Sequence, residues 1–203
     1  MHAPAPEAST ATPKFIDFEA FRRSRESSAR TAEPFESIAT LRRPEPGSST
    51  ATTERRTTTT QRQSLEAELE LRRALNLVQD DVFEDGVENE VSRAIPPLVA
   101  CFGSAAVEAT ARLYLDRLLA PDIISEVLRW LGRVDHDASH DTRFWFLVYC
   151  LRDDDPRLRS AAALGLASLE DARAVPYLQR EAQVERIGLL RSRLEKVADE
   201  LGG

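Results

Sequence analysis

An internal repeat near the C-terminal end restricts the fold of this chain more than any other feature of the sequence. Residues 158–169, LRSAAALGLASL, align with residues 190–201, LRSRLEKVADEL, at a shift of 32 residues, with four identical positions. A second pair of segments, RAIPPL at 93–98 and RAVPYL at 173–178, differs at two positions. Helix pairs of this kind have an apolar face that only a stacked neighbour can bury. The repeat therefore predicts an all-α fold built as a stack of helix pairs.

Apolar residues at helical spacing predict helices throughout residues 64–203. The first helix is expected to begin with Ser64 as its N-cap and to stop near Gly86. Its apolar positions are Leu65, Leu69, Leu71, Leu75, Val78 and Val82. Pro121 is expected to open a helix over 122–134, and Asp155-Pro156 to open one that ends near Leu169. The remaining predicted helices cover residues 94–102, 105–119, 173–185 and 187–201, and the apolar run at 144–151.

Residues 1–63 differ in composition from the rest of the chain and are predicted to form a disordered tail. Ala, Pro, Ser and Thr occupy 33 of these 63 positions, and six of the eleven prolines lie here. Such a segment buries too little apolar surface to offset the entropy lost on ordering, and residues 44–60 are the extreme case. Residues 64–203 are therefore the predicted folded domain, with 17 basic and 26 acidic residues.

A cluster of aromatic residues at 14–25 interrupts the composition of the tail. Phe15, Phe18 and Phe21 lie within seven residues and precede three arginines. Aromatic residues are depleted from disordered segments, so the cluster is interpreted as a short motif that docks either a protein partner or the chain's own folded domain. The alternative interpretation is a chance apolar cluster.

The charge of the predicted domain disfavours nucleic acid as a partner. Binding to a phosphate backbone needs a basic surface, whereas residues 64–203 carry a net charge of −9. No run of about eighteen apolar residues exists, so no membrane span is expected. The first residues lack a leader pattern and the two cysteines form no disulfide framework, which predicts a reducing, cytoplasmic location. The acidic run at 80–90 is interpreted as a solvated loop, with a cation site or a surface for a basic partner as the alternative.

Residues 153–181 resemble a HEAT repeat of the class shared with phycobilisome lyase-like proteins. The resemblance rests on an Asp-Pro helix start, an arginine four residues after the Asp, an alanine-rich face and a following AVPxL helix. These features are carried by Asp155, Pro156, Arg159, Ala162, Ala163, Leu166, Ala174, Val175, Pro176 and Leu178. The family implies a right-handed α-solenoid with a concave binding face, and it implies no particular activity. The match covers 153–201, is looser over 93–119 and is lost at 122–152, where an inserted or out-of-phase helix is expected.

Two histidines, His136 and His140, are interpreted as part of a solvated loop in which Ser139 or Asp141 caps the following helix. The alternative is that they are metal ligands or acid–base groups, because aspartates lie beside them at 135, 137 and 141. The two cysteines lie in apolar stripes and are predicted to be buried apolar side chains without nucleophilic character. Core positions are also predicted for the aromatic residues Trp130, Phe144, Trp145, Phe146 and Tyr149.

Four arginines are the candidate protein-binding residues of the folded domain. Arg159 and Arg191 occupy matching positions in two successive repeats, and Arg157 and Arg193 each lie two residues from one of them. A stack would align them along one edge, where pairing with the acidic residues at 153–155 and 170–171 is the expected arrangement. If the edge is instead open, the guanidinium groups could bind an acidic peptide.

Together these features predict a non-catalytic protein-binding adaptor or regulatory scaffold of bacterial type, with a protein as its partner and no cofactor. The alternative is an accessory enzyme or lyase-like protein that uses the His/Asp loop at 135–141. Nothing in the sequence resembles a phosphate-binding glycine loop or a nucleophile elbow.

Overall fold

The computed structural model describes residues 51–76 and 89–203, and these residues form eight α-helices without any strand. The helices are α1 Ala51–Asn76, α2 Glu90–Phe102, α3 Ser104–Leu115, α4 Pro121–Arg133, α5 His140–Cys150, α6 Pro156–Leu169, α7 Val175–Val184 and α8 Gly188–Gly202. Single 3-10 turns at Asp137–Ser139 and Ala172–Ala174 lead into α5 and α7. The all-α class predicted from the repeat is confirmed. None of the helices in the described ranges is long and apolar enough to cross a bilayer.

The first helix starts earlier than its apolar pattern indicates. The sequence predicts a start at Ser64, but α1 begins at Ala51, inside the segment predicted as a disordered tail. Ser64 lies within the helix, where its hydroxyl accepts a hydrogen bond of 2.6 Å from Arg112 Nη2 of α3. The threonine-rich stretch before Ser64 is almost free of apolar residues, so hydrophobic periodicity gives no signal there.

Several predicted features lie outside the described residues. They are the docking motif with Phe15, Phe18 and Phe21, the acidic run as far as Glu88 and the helix stop at Gly86. These assignments therefore stay predictions.

Local geometry at the helix ends explains two further differences from the predicted bounds. Asn89 and Ser92 form a capping box, in which each side chain accepts the other residue's backbone N–H at 2.9 Å. This cap starts α2 at Glu90, four residues before the predicted start. The next helix, α3, ends at Leu115 because Arg117 takes a left-handed conformation with φ 54°.

The helices form two layers of packed neighbours. In one layer, α2 packs on α4, α4 on α6, and α6 on α8. In the other layer, α1 packs on α3, and α3 on α5. α1 also packs on α2, α5 on α6, and α7 on α8, so each principal contact joins helices no more than two apart in the chain. Residues 122–152, which lack the repeat motif, contain α4 and α5 at regular positions in this order. No extra helix is inserted there, but the two RAxPxL segments lie at α2 and at the start of α7, five helices apart, so they are out of phase with the alternation of the helices.

The crossing of α4 and α6 is close because each helix has a glycine at the contact point. A Cβ atom placed on Gly132 would lie 2.0 Å from the carbonyl oxygen of Gly165. One placed on Gly165 would lie 2.6 Å from the carbonyl oxygen of Leu128. The two backbones are therefore in direct contact, which any larger side chain at these positions would prevent.

The predicted core is correct at its aromatic centre and wrong for one cysteine. Phe144, Phe146 and Cys150 are fully buried. The half-buried aromatic residues are Trp130, Trp145 and Tyr149. Cys101 is exposed, because it follows the buried Val99 by two residues and therefore lies on the opposite side of α2.

The buried guanidinium of Arg143 stabilises the loop between α4 and α5 through hydrogen bonds. Arg143 is 2% exposed and donates hydrogen bonds to the carbonyl oxygens of Leu131 at 2.9 Å and His136 at 3.1 Å, and to the Ser139 hydroxyl at 3.2 Å. Burial lowers the pKa of Arg143, and nearby aspartates act in the opposite direction. Its guanidinium therefore holds the loop that contains His136 and leads to the second histidine.

Candidate functional site

The two histidines of the predicted His/Asp loop have different partners. His136 Nδ1 lies 3.0 Å from the hydroxyl of Ser139 within the loop. His140 Nε2 lies 2.9 Å from Asp171 Oδ2, in the turn before α7. Ser139 occupies the N-cap position of α5, but its side chain makes no capping hydrogen bond. Across residues 51–76 and 89–203, no three His, Cys, Asp or Glu side chains are grouped as a metal site.

An ionic cluster at the start of α5 contains the second histidine. Arg173 donates to Asp141 Oδ1 at 2.8 Å and to Asp171 Oδ2 at 2.6 Å, and His140 contacts the same oxygen of Asp171. Arg173 holds the pKa of Asp171 far below its ordinary value, against the effect of burial, and His140 adds to the lowering. The cluster links the N-terminus of α5 to the turn before α7.

A similar link joins α4 to α6 and uses one of the candidate binding arginines. Arg157 donates to Asp122 Oδ1 at 2.6 Å and to Asp155 Oδ2 at 2.9 Å. Asp155 also caps α6, because it accepts the backbone N–H of Arg157. Arg193 of α8 contacts the hydroxyl of Ser160 in α6. Each of these two arginines therefore bonds to the helix that lies two before its own in the chain.

The other two candidate arginines, Arg159 and Arg191, belong to a turn that occurs twice. Arg159 donates to the carbonyl oxygen of Asp153 at 2.9 Å, and Arg191 donates to the carbonyl oxygen of Glu185 at 2.8 Å. In each turn the acidic side chain accepts the backbone N–H two residues later, at 2.7 Å in the first and 2.9 Å in the second. We call these segments, residues 153–155 and 185–187, the acid turns. The 32-residue shift of the sequence therefore appears as a repeated hydrogen-bond pattern.

A cleft of about 590 Å³ is lined by the two acid turns. Arg159 joins the turns by donating to Glu185 Oε2 at 2.8 Å, and the two side chains are 18% and 4% exposed. Burial alone would raise the pKa of Glu185, but the backbone N–H of Ile187 and the guanidinium of Arg159 outweigh it and lower the pKa. Arg152 and Glu181 form a second pair in the lining at 2.9 Å. The buried charges of the cleft are therefore satisfied within the chain.

The mouth of the cleft has exposed apolar side chains. Val184 is 68% exposed and Ile187 is 44% exposed, and we call these two lining residues the apolar rim. Leu189, two residues further along, is 89% exposed. Arg186 lies between the two rim residues in the chain and is also exposed. Exposed apolar side chains rimmed by polar groups are typical of interaction sites.

A partly buried hydrogen bond between α3 and the first acid turn stabilises that turn. Tyr114 of α3 donates its hydroxyl to Asp153 Oδ2, and burial raises the pKa of Tyr114 far above its ordinary value. Cys150 lies beside this pair, and burial, followed by the charge of Asp153, raises the pKa of its thiol. A thiol held neutral is a poor nucleophile, in agreement with the prediction for this cysteine.

Sequence reasoning identifies only part of this cleft. Asp155 pairs with Arg157 as predicted, while Asp153 binds Arg159 only through its backbone carbonyl oxygen. Glu185, which bonds to both Arg159 and Arg191, is not predicted. A signal for it exists, because Glu185 follows Asp153 by 32 residues, the shift of the repeat. The apolar rim has no comparable signal, since single exposed aliphatic residues are common on protein surfaces.

Comparisons with family models, with curated proteins and with solved structures find no match to this chain. The resemblance to HEAT repeats therefore stays a prediction, and the site is interpreted from its own geometry.

Proposed function

We propose that this protein is a non-catalytic protein-binding module and that the cleft between the acid turns holds the partner. The observation that carries the proposal is the exposure of Val184 and Ile187 at a cleft whose buried charges are already paired. Full burial of an aliphatic side chain is worth about 1.5–3 kcal/mol, so a partner that covers both residues gains substantial free energy.

The chemistry of the cleft favours binding over catalysis. Glu185 has a lowered pKa and therefore has no proton to donate near neutral pH. Its carboxylate oxygens already accept hydrogen bonds from Arg159 and from the backbone of the acid turn. The nearby thiol of Cys150 is buried and neutral. These groups stabilise the walls of the cleft, which is the role expected in an adaptor or scaffold.

The test selects peptides from a random display library on the full-length protein and measures their affinities by fluorescence polarisation. The double variant Val184→Ser, Ile187→Ser should weaken binding by about tenfold or more, because the ligand loses its apolar contacts. Leu118→Ser is the matched control, since Leu118 is 53% exposed but lies after α3, away from the cleft lining. If no peptide is enriched, or if both variants weaken binding equally, the cleft is not the binding site.

A further inference from the structure

We infer that the cleft binds an acidic segment of the partner, in which carboxylates flank an aliphatic side chain. The inference rests on the proposed function, because it concerns the same cleft and adds the chemistry of its ligand. Its basis is the exposed charge at the cleft mouth, which differs in sign from the net charge of the chain.

Two arginines supply the exposed positive charge. Arg186 forms no ion pair within the part of the chain that the structure describes. Arg152 has a side chain that is 54% exposed, and it gives one N–H, that of Nε, to Glu181. A guanidinium has five N–H donors, so both arginines can donate to further carboxylates. Asp154 is the single exposed carboxylate among the described residues of the lining.

The buried acidic side chains do not make the cleft attractive to a basic ligand, because they are already engaged. Asp153 accepts the hydroxyl of Tyr114 and a backbone N–H of its own turn. Glu185 accepts the guanidinium of Arg159 and a backbone N–H of the second acid turn. A basic ligand would have to replace these internal hydrogen bonds, whereas an acidic ligand meets donors that are exposed.

The net charge of −7 opposes an acidic partner mainly at long range. Salt screens interactions between exposed charges beyond about 8 Å at physiological ionic strength. Repulsion from the whole chain therefore slows association, while contacts at the cleft mouth decide which ligand stays bound. Val184 and Ile187 flank Arg186 in the chain, so one ligand segment can place an aliphatic side chain on the apolar rim with a carboxylate beside it.

The experiment compares three synthetic peptides that share an aliphatic centre and differ only in flanking residues, which are Glu, Gln or Lys. Fluorescence polarisation with the full-length protein should rank them Glu, Gln, Lys from tightest to weakest, with about tenfold between the first two. Arg186→Glu should reverse this order. Lys196→Glu is the matched control, because it makes the same charge change on an exposed side chain of α8 and should keep the order. Added salt should weaken the Glu peptide most.

Equal binding of the three peptides, a preference for Lys, or an order that Arg186→Glu leaves unchanged would overturn the inference. Failure of the proposed function has a different signature. If Val184→Ser, Ile187→Ser weakens the binding of neutral or basic peptides from the library, the cleft is a binding site and its inferred ligand is wrong. If no peptide from either source binds, both proposals are wrong.

Discussion

Gly165 shows how one missing methyl group controls the packing of two helices. A Cβ atom there would lie 2.6 Å from the carbonyl oxygen of Leu128 and 2.7 Å from a methyl carbon of Leu147. Gly165→Ala should therefore lower the free energy of unfolding by about 1–3 kcal/mol, although alanine favours a helix by about 1 kcal/mol over glycine. Unfolding in urea measures the change.

A second glycine provides the control for this prediction. A Cβ atom on Gly188, at the start of α8, meets no atom within 4 Å. Gly188→Ala should leave the free energy of unfolding unchanged or raise it slightly, because the unfolded chain loses entropy. If Gly165→Ala also leaves the free energy of unfolding unchanged, α4 and α6 do not pack through this close backbone contact.

Single residues also show where sequence reasoning succeeds and where it stops. Burial of Phe144 and Cys150 is predictable because apolar runs must be covered. Burial of Arg143 is not, because its main partners are backbone carbonyl oxygens that only the folded loop brings together. The pair Gly132 and Gly165 lies 33 residues apart, close to the repeat shift, so the spacing contains a signal that composition does not reveal.

Ion pairs near helix N-termini join helices that lie two apart in the chain. The bond from Arg157 to Asp122 connects α6 with α4, and the bond from Arg173 to Asp141 connects the turn before α7 with α5. In both cases the arginine also pairs with the aspartate two residues before it. The same local sequence is an aspartate with an arginine two residues later. In both places the aspartate is an N-cap, and the arginine forms an ion pair with an earlier helix.

Replacing Asp171 by asparagine measures the contribution of one such link. Asp171→Asn keeps an acceptor for the backbone N–H of Arg173 but removes the charge, and it should cost about 1 kcal/mol at neutral pH. Because the pKa of Asp171 is lowered from its ordinary 3.8 in the folded state, the stabilisation is complete above that value and is lost as the pH falls below it. The difference between wild type and variant in free energy of unfolding should therefore shrink between about pH 5 and pH 2.

The matched control for this pH series is Asp199→Asn, which changes an exposed carboxylate on α8. It should give a difference close to zero at every pH. A difference for Asp171→Asn that stays constant from neutral to acidic pH would show that the charge of Asp171 does not stabilise the fold.

Helix bounds are predictable where a cap or a proline marks them. α6 begins at Pro156 after the Asp155 cap and ends at Leu169, as the sequence predicts. The early start of α1 at Ala51 is missed because apolar periodicity is absent there. The end of α3 is missed because Arg117 takes a left-handed conformation that non-glycine residues seldom adopt.

Across the described chain, the order of helix contacts predicts stability that depends on near neighbours. Each principal contact joins helices no more than two apart, as in repeat proteins whose units stabilise adjacent units. Most exposed side chains of the last helix, α8, are charged, although Leu189 near its start is an exposed apolar residue. The exposed charged residues on it are Arg191, Arg193, Glu195, Lys196, Asp199 and Glu200. The right-handed solenoid implied by the HEAT resemblance stays a prediction.

Two leucine truncations, one in α3 and one in α8, test whether stability depends on near neighbours. Leu113 and Leu194 are each 1% exposed, so replacement by alanine removes the same buried volume and should cost about 2–5 kcal/mol at either site. With neighbour contacts only, Leu194→Ala should accelerate hydrogen exchange first in α6, α7 and α8, and Leu113→Ala first in α1, α2, α3 and α5. A uniform loss of protection through all described helices in both variants would instead indicate one cooperative core, because damage at either end would then reach every helix equally.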